Sequence, residues 1–279
     1  MQKYEKKTKM KKFAVIGNPI KHSLSPQIHL EFARQHSIVL SYEKIMADDD
    51  KSFITIIQDL LKNGYSGVNV TLPFKGCAAK ISKNKTIDVV LSGSANTLSF
   101  FDNEITAHTT DGVGLISDLL EKIQSISNCS VLLLGAGGAA NAVIPSIFNE
   151  KISHLYLWNR TIHKSITMAD YWKENFKNIS VMDIVDLNKI DLVINATSSG
   201  INNTSESPIC LKDCHKNLIC YDMMYGTLTP FQNSAHKNGL TCFDGLGMLV
   251  KQAAASFQIW HEKKIDTNIV EKNIRANLN

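Results

Sequence analysis

The sequence contains no run near the roughly 20 apolar residues that a helix needs to cross a bilayer. Its first residues are rich in lysine and include no apolar core of the kind that a secretory signal requires. These two absences argue against a membrane protein and against an exported one. We therefore expect a cytoplasmic protein that has no membrane partner.

Cysteine is sparse, with 6 in 279 residues, and no two of them form a Cys-x-x-Cys pair. A chain of this length can build a full core without disulfides, so we expect free thiols. Cys210, Cys214, His215 and Cys220 come closest to a metal-ligand pattern. Structural zinc sites normally include a tighter cysteine pair, so we expect no metal site.

The body of the chain carries no excess of positive charge. The formal net charge is +4, but residues 1–12 hold six Lys and one Glu and contribute +5, which leaves −1 for the rest. A nucleic-acid surface needs its basic residues on a folded face, so we expect no nucleic-acid partner. High charge and missing apolar periodicity predict that residues 1–12 form a disordered tail outside the fold.

Patterns typical of strands and of helices alternate along the chain. Short apolar runs such as 13–16 and 131–134 predict buried strands, and the helical spacing of apolar residues in 52–62 predicts an amphipathic helix. Such alternation is typical of an α/β protein with mainly parallel sheets.

The length of 279 residues suits about two domains. We place the first domain at 13–112 and the second at 113–246. The segment 247–279 is predicted to form helices that return to the first domain.

A glycine-rich turn follows the most apolar strand. Residues 131–134 lead into Gly135-Ala136-Gly137-Gly138-Ala139-Ala140 and then into a helical pattern over 141–148. The first glycine would form the turn, the second would let a pyrophosphate approach the backbone, and Ala140 would allow close packing of helix on strand. Similar turns occur without a ligand, but a strand before and a helix after favour a dinucleotide site whose phosphates meet the helix N-terminus.

The strand predicted at 154–158 bears on the choice of cofactor. It ends in Asn159-Arg160-Thr161, with Lys164 close behind, and lacks the acidic residue that would hold a free ribose 2′-hydroxyl. A guanidinium suits a 2′-phosphate because it offers planar, charge-assisted donors. The sequence therefore favours NADP over NAD, and the alternative is a solvated loop with two ordinary cations.

Two serines precede the helix predicted over 27–36. Ser25, followed by Pro26 at the first helical position, is expected to be the N-cap. The hydroxyls of Ser23 and Ser25 at a helix start could also receive an anion. The residues alone leave both interpretations open.

Lys75 and Asp111 stand at two further element ends. Lys75 follows a strand that proline interrupts, at the carboxyl end where open α/β sheets bind ligands. Asp111 begins a helical pattern that runs to about residue 124. Taken by itself, Asp111 is best interpreted as an N-cap.

Nine stretches together make residues 13–260 resemble the shikimate dehydrogenase family. They are Gly-Asn-Pro at 17–19, Ser-Leu-Ser-Pro at 23–26, Asn-Val-Thr-Leu-Pro-Phe-Lys at 69–75, Ala-Asn-Thr-Leu at 95–98, Thr-Asp-Gly-Val-Gly at 110–114, Gly-Ala-Gly-Gly-Ala at 135–139, Asn-Arg-Thr at 159–161, Ile-Asn-Ala-Thr-Ser-Ser-Gly at 194–200 and Asp-Gly-Leu-Gly-Met-Leu-Val at 244–250. The resemblance implies reversible, NADP-linked reduction of 3-dehydroshikimate to shikimate in aromatic amino-acid biosynthesis. It also implies an open α/β substrate domain, a Rossmann-type doubly wound NADP domain, and an active site in the cleft between them.

The same resemblance implies roles for individual residues. Lys75 and Asp111 would be the catalytic pair, and Ser23 and Ser25 would bind the substrate carboxylate. The residues implied for the ring hydroxyls are Thr71, Asn96, Tyr225 and Gln252. The residues implied for the cofactor are Gly135, Ala136, Gly137, Gly138, Ala139, Asn159, Arg160, Thr161, Lys164, Met223 and Gly245.

One departure lies beside the implied catalytic pair. The family usually has Asn directly before Thr-Asp, where this chain has Thr109. A threonine keeps a hydroxyl but lacks the second hydrogen-bonding arm of an amide, so the setting of Asp111 is expected to differ.

Two other functions compete with this interpretation. The first is a quinate/shikimate dehydrogenase that prefers NAD, which Arg160, Lys164 and the missing acid disfavour. The second is a non-catalytic dinucleotide sensor, which the presence of both Lys75 and Asp111 disfavours. The expected partner is a small-molecule substrate, and the sequence leaves open whether the chain forms a homodimer.

Overall fold

A computed structural model describes residues 10–197, 199 and 206–278. The first half of the chain forms a six-stranded sheet in the order β2-β1-β3-β5-β6-β4. Its strands are β1 (Lys11–Gly17), β2 (Leu40–Met46), β3 (Gly67–Val70), β4 (Asn84–Lys85), β5 (Thr97–Phe101) and β6 (Glu104–His108). β1 pairs in parallel with β2 and β3, whereas β5 runs antiparallel to β3 and β6. Its helices are α1 (Ser25–Gln35), α2 (Asp50–Lys62), α3 (Lys75–Ile81) and α4 (Ile87–Ser92).

The second sheet is parallel in every strand pair described. Its strands are β7 (Ser130–Leu134), β8 (His154–Trp158), β9 (Ile179–Val181), β10 (Leu192–Asn195), β11 (Ile219–Asp222) and β12 (Thr241–Phe243). The order β12-β11-β10-β7-β8-β9 is that of a doubly wound fold, in which ligands bind where the strand order reverses, here between β7 and β10. The expected α/β class, with a doubly wound second unit, is confirmed.

The connections of the second sheet are also helical. α6 (Gly138–Asn149), α7 (Ile162–Lys173) and α8 (Pro230–Lys237) link its strands, and a short 3-10 turn at Leu187–Lys189 precedes β10. α6 begins three residues before the start expected from the sequence. The patterns used above identify neither α7 nor α8.

Three further helices lie outside the connections within each sheet. They are α5 (Asp111–Ile123), which joins the two sheets, α9 (Leu246–His261), which follows β12, and α10 (Thr267–Leu278), which is the last element. Phe257 and Trp260 of α9 join Phe13 and Phe32 in the core of the first unit, because α9 returns to that sheet after β12. The boundaries expected at 112/113 and 246/247 each fall in the first turn of one of these helices.

The expected tail boundary is wrong at its inner end. Lys11 and Lys12 belong to β1, where they pair with Leu40 and Ser41 of β2, and Lys11 Nζ donates to the carbonyl of Trp260 at 3.3 Å. Backbone pairing extends the strand although the two side chains are charged. Residues 1–9 lie outside the described residues.

Across 10–197, 199 and 206–278, the structure shows no helix of the length and apolarity needed to span a bilayer.

Candidate active site

A cavity of about 1020 Å³ lies at the carboxyl ends of strands from both sheets. The segments that follow β1 and β3 line this cavity, and so do the segments that follow β7, β8, β10 and β11 of the second sheet. Every site residue expected from the sequence lines this cavity: Ser23, Ser25, Thr71, Lys75, Asn96, Asp111, Gly135, Ala136, Gly137, Gly138, Ala139, Asn159, Arg160, Thr161, Lys164, Met223, Tyr225, Gly245 and Gln252.

Lys75 and Asp111 form an ion pair on the wall of the first unit. Lys75 is the first residue of α3, Asp111 is the first residue of α5, and Lys75 Nζ lies 2.7 Å from Asp111 Oδ2. The side chains are only 14% and 8% exposed. Asp111 Oδ1 accepts from Asn96 Nδ2 at 3.1 Å. The interpretation of Asp111 as an N-cap is therefore wrong, because Thr110 occupies that position and both carboxylate oxygens face side chains.

Asn96 is the centre of a buried hydrogen-bond fan. Its Nδ2 also lies 2.8 Å from Thr110 Oγ1 and 3.1 Å from Gln252 Oε1. Its Oδ1 accepts from the Thr110 backbone N–H at 2.8 Å. An amide N has two protons, so three acceptors share them. The fan connects the start of β5 with α5 and α9 and so fixes the groups around Asp111.

Ser23 and Ser25 lie side by side at the N-terminus of α1. Their hydroxyl oxygens are 3.2 Å apart, and Ser23 Oγ accepts from the Ser25 backbone N–H at 3.3 Å. The expectation that Ser25 caps the helix is wrong: Ser25 is its first residue, and the N-cap position is held by Leu24. Because neither hydroxyl serves as a side-chain cap, both can turn toward an anion in the cavity.

Thr71 and Tyr225 face the cavity from opposite units. The Thr71 N–H donates to the carbonyl of Ile16 at 2.9 Å, which anchors the segment between β3 and α3. Burial raises the pKa of the Tyr225 phenol above its ordinary value. The phenol of Tyr225 therefore stays neutral and can both donate and accept a hydrogen bond.

The glycine turn has the geometry that a phosphate site needs. Gly135 has a φ of +109°, and a Cβ there would lie 3.1 Å from the carbonyl oxygen of Ala196. Gly137 is the N-cap of α6 and supplies no side-chain cap, so the first N–H groups of that helix remain available to an anion. Across the cavity, a Cβ on Gly245 would lie 2.3 Å from the carbonyl oxygen of Met223, so only glycine allows this approach.

The loop after β8 carries the two cations expected to read the cofactor. Asn159 Nδ2 donates to the carbonyl of Thr161 at 2.9 Å, and the Lys164 N–H donates to the same carbonyl at 3.0 Å. These bonds fold the loop over the start of α7. Arg160 and Lys164 are exposed at the cavity wall.

Three family models match successive parts of the chain. The shikimate dehydrogenase substrate binding domain matches residues 15–98, shikimate / quinate 5-dehydrogenase matches 118–222, and the shikimate 5′-dehydrogenase C-terminal domain matches 245–275. The chain belongs to the shikimate dehydrogenase family. The resemblance noted from the motifs is confirmed.

The similarity to known proteins covers nearly the whole length of this chain. The shikimate dehydrogenase (NADP(+)) of Vesicomyosocius okutanii is 40% identical over 95% of this chain and 100% of its own length. The protein of the same name from Methylobacillus flagellatus is 41% identical, over 96% of this chain and 100% of its own. Among solved structures, Thermus thermophilus shikimate 5-dehydrogenase in complex with NADP(H) and shikimate has a TM-score of 0.87 at 26% identity, covering 96% of this chain and 99% of that one.

Asn69 also lines the cavity, and sequence reasoning did not single it out. It is 7% exposed and accepts from the Tyr42 hydroxyl at 2.6 Å. Its Nδ2 donates to Ser256 Oγ at 3.1 Å and to the carbonyl of Asn96 at 3.1 Å. The signal available in the sequence was a single amide inside the otherwise apolar strand of residues 67–70.

Thr109 stands where the family usually has Asn. Its Oγ1 is buried and has no hydrogen-bond partner among the described residues. Asp111 is instead held by Lys75 and Asn96. In the structure the substitution leaves the ion pair formed.

Proposed function

We propose that the chain is an NADP-dependent shikimate dehydrogenase that reversibly reduces 3-dehydroshikimate to shikimate. The observation that carries this proposal is the Lys75–Asp111 ion pair, because it lies in the same cavity as an uncapped helix N-terminus and a glycine turn. A proton-transfer group and a dinucleotide site in one cleft are what an alcohol dehydrogenase requires. Family membership supplies the substrate class.

The polar groups of the first unit match the chemistry of shikimate. We assign its carboxylate to the paired hydroxyls of Ser23 and Ser25, which lie at a helix start. The ring hydroxyls are assigned to Thr71, Asn96, Tyr225 and Gln252. Each serine hydroxyl can donate to the carboxylate, and the other four side chains offer donors and acceptors to the ring hydroxyls.

Lys75 handles the proton on the reacting oxygen. When bound, NADPH supplies the hydride to the ring carbon. Lys75 Nζ carries three protons, of which Asp111 accepts one, and the others can reach a ketone oxygen in the cavity. In the reducing direction Lys75 stabilises the charge that develops on that oxygen and donates the proton. Asp111 keeps the ammonium in place.

The second unit fits NADP. Gly135 and Gly137 let the pyrophosphate approach the backbone and the start of α6. Arg160 and Lys164 would bind the 2′-phosphate, since the loop offers cations and no acid after β8. Asn159 and Thr161 hold the loop in shape.

Initial rates with shikimate and with quinate, each against NADP and NAD, test this function. We expect the highest kcat/KM with shikimate and NADP. A preference for NAD would favour the quinate/shikimate alternative. Binding of NADP without turnover of either substrate would favour a sensor and reject the proposal.

A further inference from the structure

Two buried polar residues end the central strands of the second sheet. Asn195 is the last residue of β10, Asp222 is the last residue of β11, and the two are register partners. Both polar side chains are 0% exposed and lie at the ends of strands that are otherwise mostly apolar. Burying a carboxylate is costly unless it is paired. The catalytic scheme above uses neither residue.

Asp222 has protein donors on both carboxylate oxygens. Oδ1 accepts from Asn195 Nδ2 and from the Met224 N–H, each at 3.1 Å. Oδ2 accepts from the Thr229 hydroxyl and from Gln232 Nε2, the latter at 3.2 Å. Three of the four donors are N–H groups that cannot accept, so an ionised carboxylate satisfies the set. Burial raises the pKa of Asp222, and these hydrogen bonds oppose that rise.

The two residues build the same turn on neighbouring strands. Asp222 Oδ1 accepts the N–H two residues onward, at Met224, and Asn195 Oδ1 accepts the N–H two residues onward, at Thr197, at 3.1 Å. Such Asx turns redirect the backbone as it leaves a strand. The Asn195–Asp222 hydrogen bond joins the two turns to each other.

Both loops lead into the cavity. Met223 and Tyr225 follow Asp222, and Thr197 follows Asn195. All three line the cavity, and the Met223 N–H donates to the carbonyl of Asn195 at 3.0 Å. The substrate and cofactor contacts assigned to Tyr225 and Met223 therefore depend on this pair of turns for their position.

We propose that Asp222 and Asn195 are positioning residues that set the turns at 195–197 and 222–224 relative to the Lys75–Asp111 pair across the cleft. Neither lines the cavity, and each acts through the turn that follows it. This inference rests on the proposed function.

Three variants test the inference: Asp222→Asn, Asn195→Asp, and the double exchange. Displacement of reacting groups by about 1 Å costs on the order of 100-fold in rate, so Asp222→Asn should lower kcat roughly 10- to 100-fold. Asn195→Asp should lower kcat further, because two buried carboxylates would face each other with no donor between them. The exchange places an amide opposite a carboxylate again and should recover part of that loss.

A second readout separates positioning from general damage. Adenosine 2′,5′-bisphosphate probes the end of the site formed by Arg160 and Lys164 after β8. Its Kd should stay within about threefold of wild type in Asp222→Asn, since no hydrogen bond among the described residues joins either turn to that loop. All kinetics are measured well below the Tm of each variant.

Asp118→Asn is the matched control. Asp118 is also a 0% exposed carboxylate, held by Lys122, Lys251 and the Tyr221 hydroxyl, and it does not line the cavity. It should lower Tm while kcat remains within about threefold of wild type. An equal loss of kcat in Asp118→Asn would mean that removing any buried carboxylate has this effect, and would overturn the inference.

The outcomes distinguish the inference from the function on which it rests. A wild-type enzyme without shikimate turnover rejects the proposed function. A wild-type enzyme that is active, with Asp222→Asn retaining its kcat, rejects the inference alone. Should Asp222→Asn fail to fold, Gln232→Met removes one donor to the carboxylate, and an unchanged kcat in that variant likewise rejects it.

Discussion

Arg160 is the residue on which the choice of cofactor depends. A charge-assisted bidentate contact to a phosphate is worth about 1.5–3 kcal/mol, or roughly 10- to 100-fold in affinity. Arg160→Ala should therefore raise the KM for NADP by about that factor and leave the use of NAD nearly unchanged. Arg34→Ala, an exposed arginine on α1 outside the cavity, is the control. Equal losses with both cofactors would show that Arg160 supports the loop without recognising the phosphate.

Ser23 offers the cleaner test of carboxylate binding. Ser23→Ala removes one of the two hydroxyls at the start of α1, and it also removes the acceptor of the Ser25 N–H. Loss of a hydrogen bond to a charged group costs about 1.5–3 kcal/mol, so the KM for shikimate should rise roughly 10- to 100-fold. Ser41→Ala, on β2 and outside the cavity, should leave that KM unchanged. An unaltered KM in Ser23→Ala would remove Ser23 from the site.

At the scale of elements, α9 supports the site through a buried hydroxyl. Ser256 is 0% exposed, accepts from Asn69 Nδ2 at 3.1 Å, and lies 2.7 Å from Thr97 Oγ1 and 3.2 Å from Thr110 Oγ1. Ser256→Ala leaves polar groups on three elements short of a partner, at a cost of about 1–3 kcal/mol in unfolding free energy.

The same change should lower kcat/KM for shikimate, because Asn69 and Thr110 border the fan around Asn96. The matched control is Ser165→Ala on α7, where an equally buried hydroxyl bonds, among the described residues, only to the carbonyl of Ile162. Denaturant unfolding and steady-state kinetics on both variants provide the check. Similar kcat/KM in the two variants would place Ser256 in the core and outside the support of the site.

Sequence reasoning placed residues at the cavity where the end of a single strand carries the signal. The glycine turn at Gly135, the loop cations at Arg160, and Lys75 after its strand are each local patterns, and all three line the cavity. The side chains that connect elements gave no such signal: Asn69 reaches Ser256 only when β3 meets α9, and Asp222 reaches Asn195 only when β11 meets β10. Ser25 was wrongly expected to be the N-cap of α1. The helix begins at Ser25 itself, and the Ser25 N–H donates to Ser23 Oγ.

At the scale of the whole molecule, His29 and His261 contribute to the pH dependence of stability. Burial lowers the pKa of His29 to about 3 and that of His261 to about 4. The unfolded chain binds protons at both sites below its pKa of about 6.5, whereas the folded chain does not. Stability from these groups is therefore complete above about pH 6.5 and falls as the pH is lowered toward 4 and 3.

His29→Phe should reduce this dependence. The ring is stacked on Tyr42 at 4.5 Å between centroids, and neither of its nitrogens has a hydrogen-bond partner among the described residues. Phenylalanine keeps the stacking and removes the titration. Tm measured from pH 7 to pH 4 should fall less steeply than in wild type or in the exposed control His163→Gln. Parallel curves would show that other groups account for the pH dependence.

The Lys75–Asp111 ion pair of the first unit lies in the same cavity as the glycine turn of the second. Lys75 begins α3 and Asp111 begins α5, 36 positions apart, and the fold brings them to 2.7 Å beside the dinucleotide turn of the second sheet. Because we assign the substrate proton to this pair, removing either side chain should lower kcat more than it raises the KM for shikimate. Asp111→Asn should also be impaired, and the double variant should be far less than additive because the pair acts as a unit.

The most direct test is the turnover of Lys75→Ala with shikimate and NADP. A proton-transfer group contributes about 10²- to 10⁴-fold, so kcat should fall by that factor with a comparatively small change in the KM for shikimate. Lys80→Ala, an exposed lysine on the same helix, should keep wild-type turnover. A Lys75→Ala enzyme that retains more than about a tenth of its kcat, well outside that range, would contradict the assigned role of Lys75.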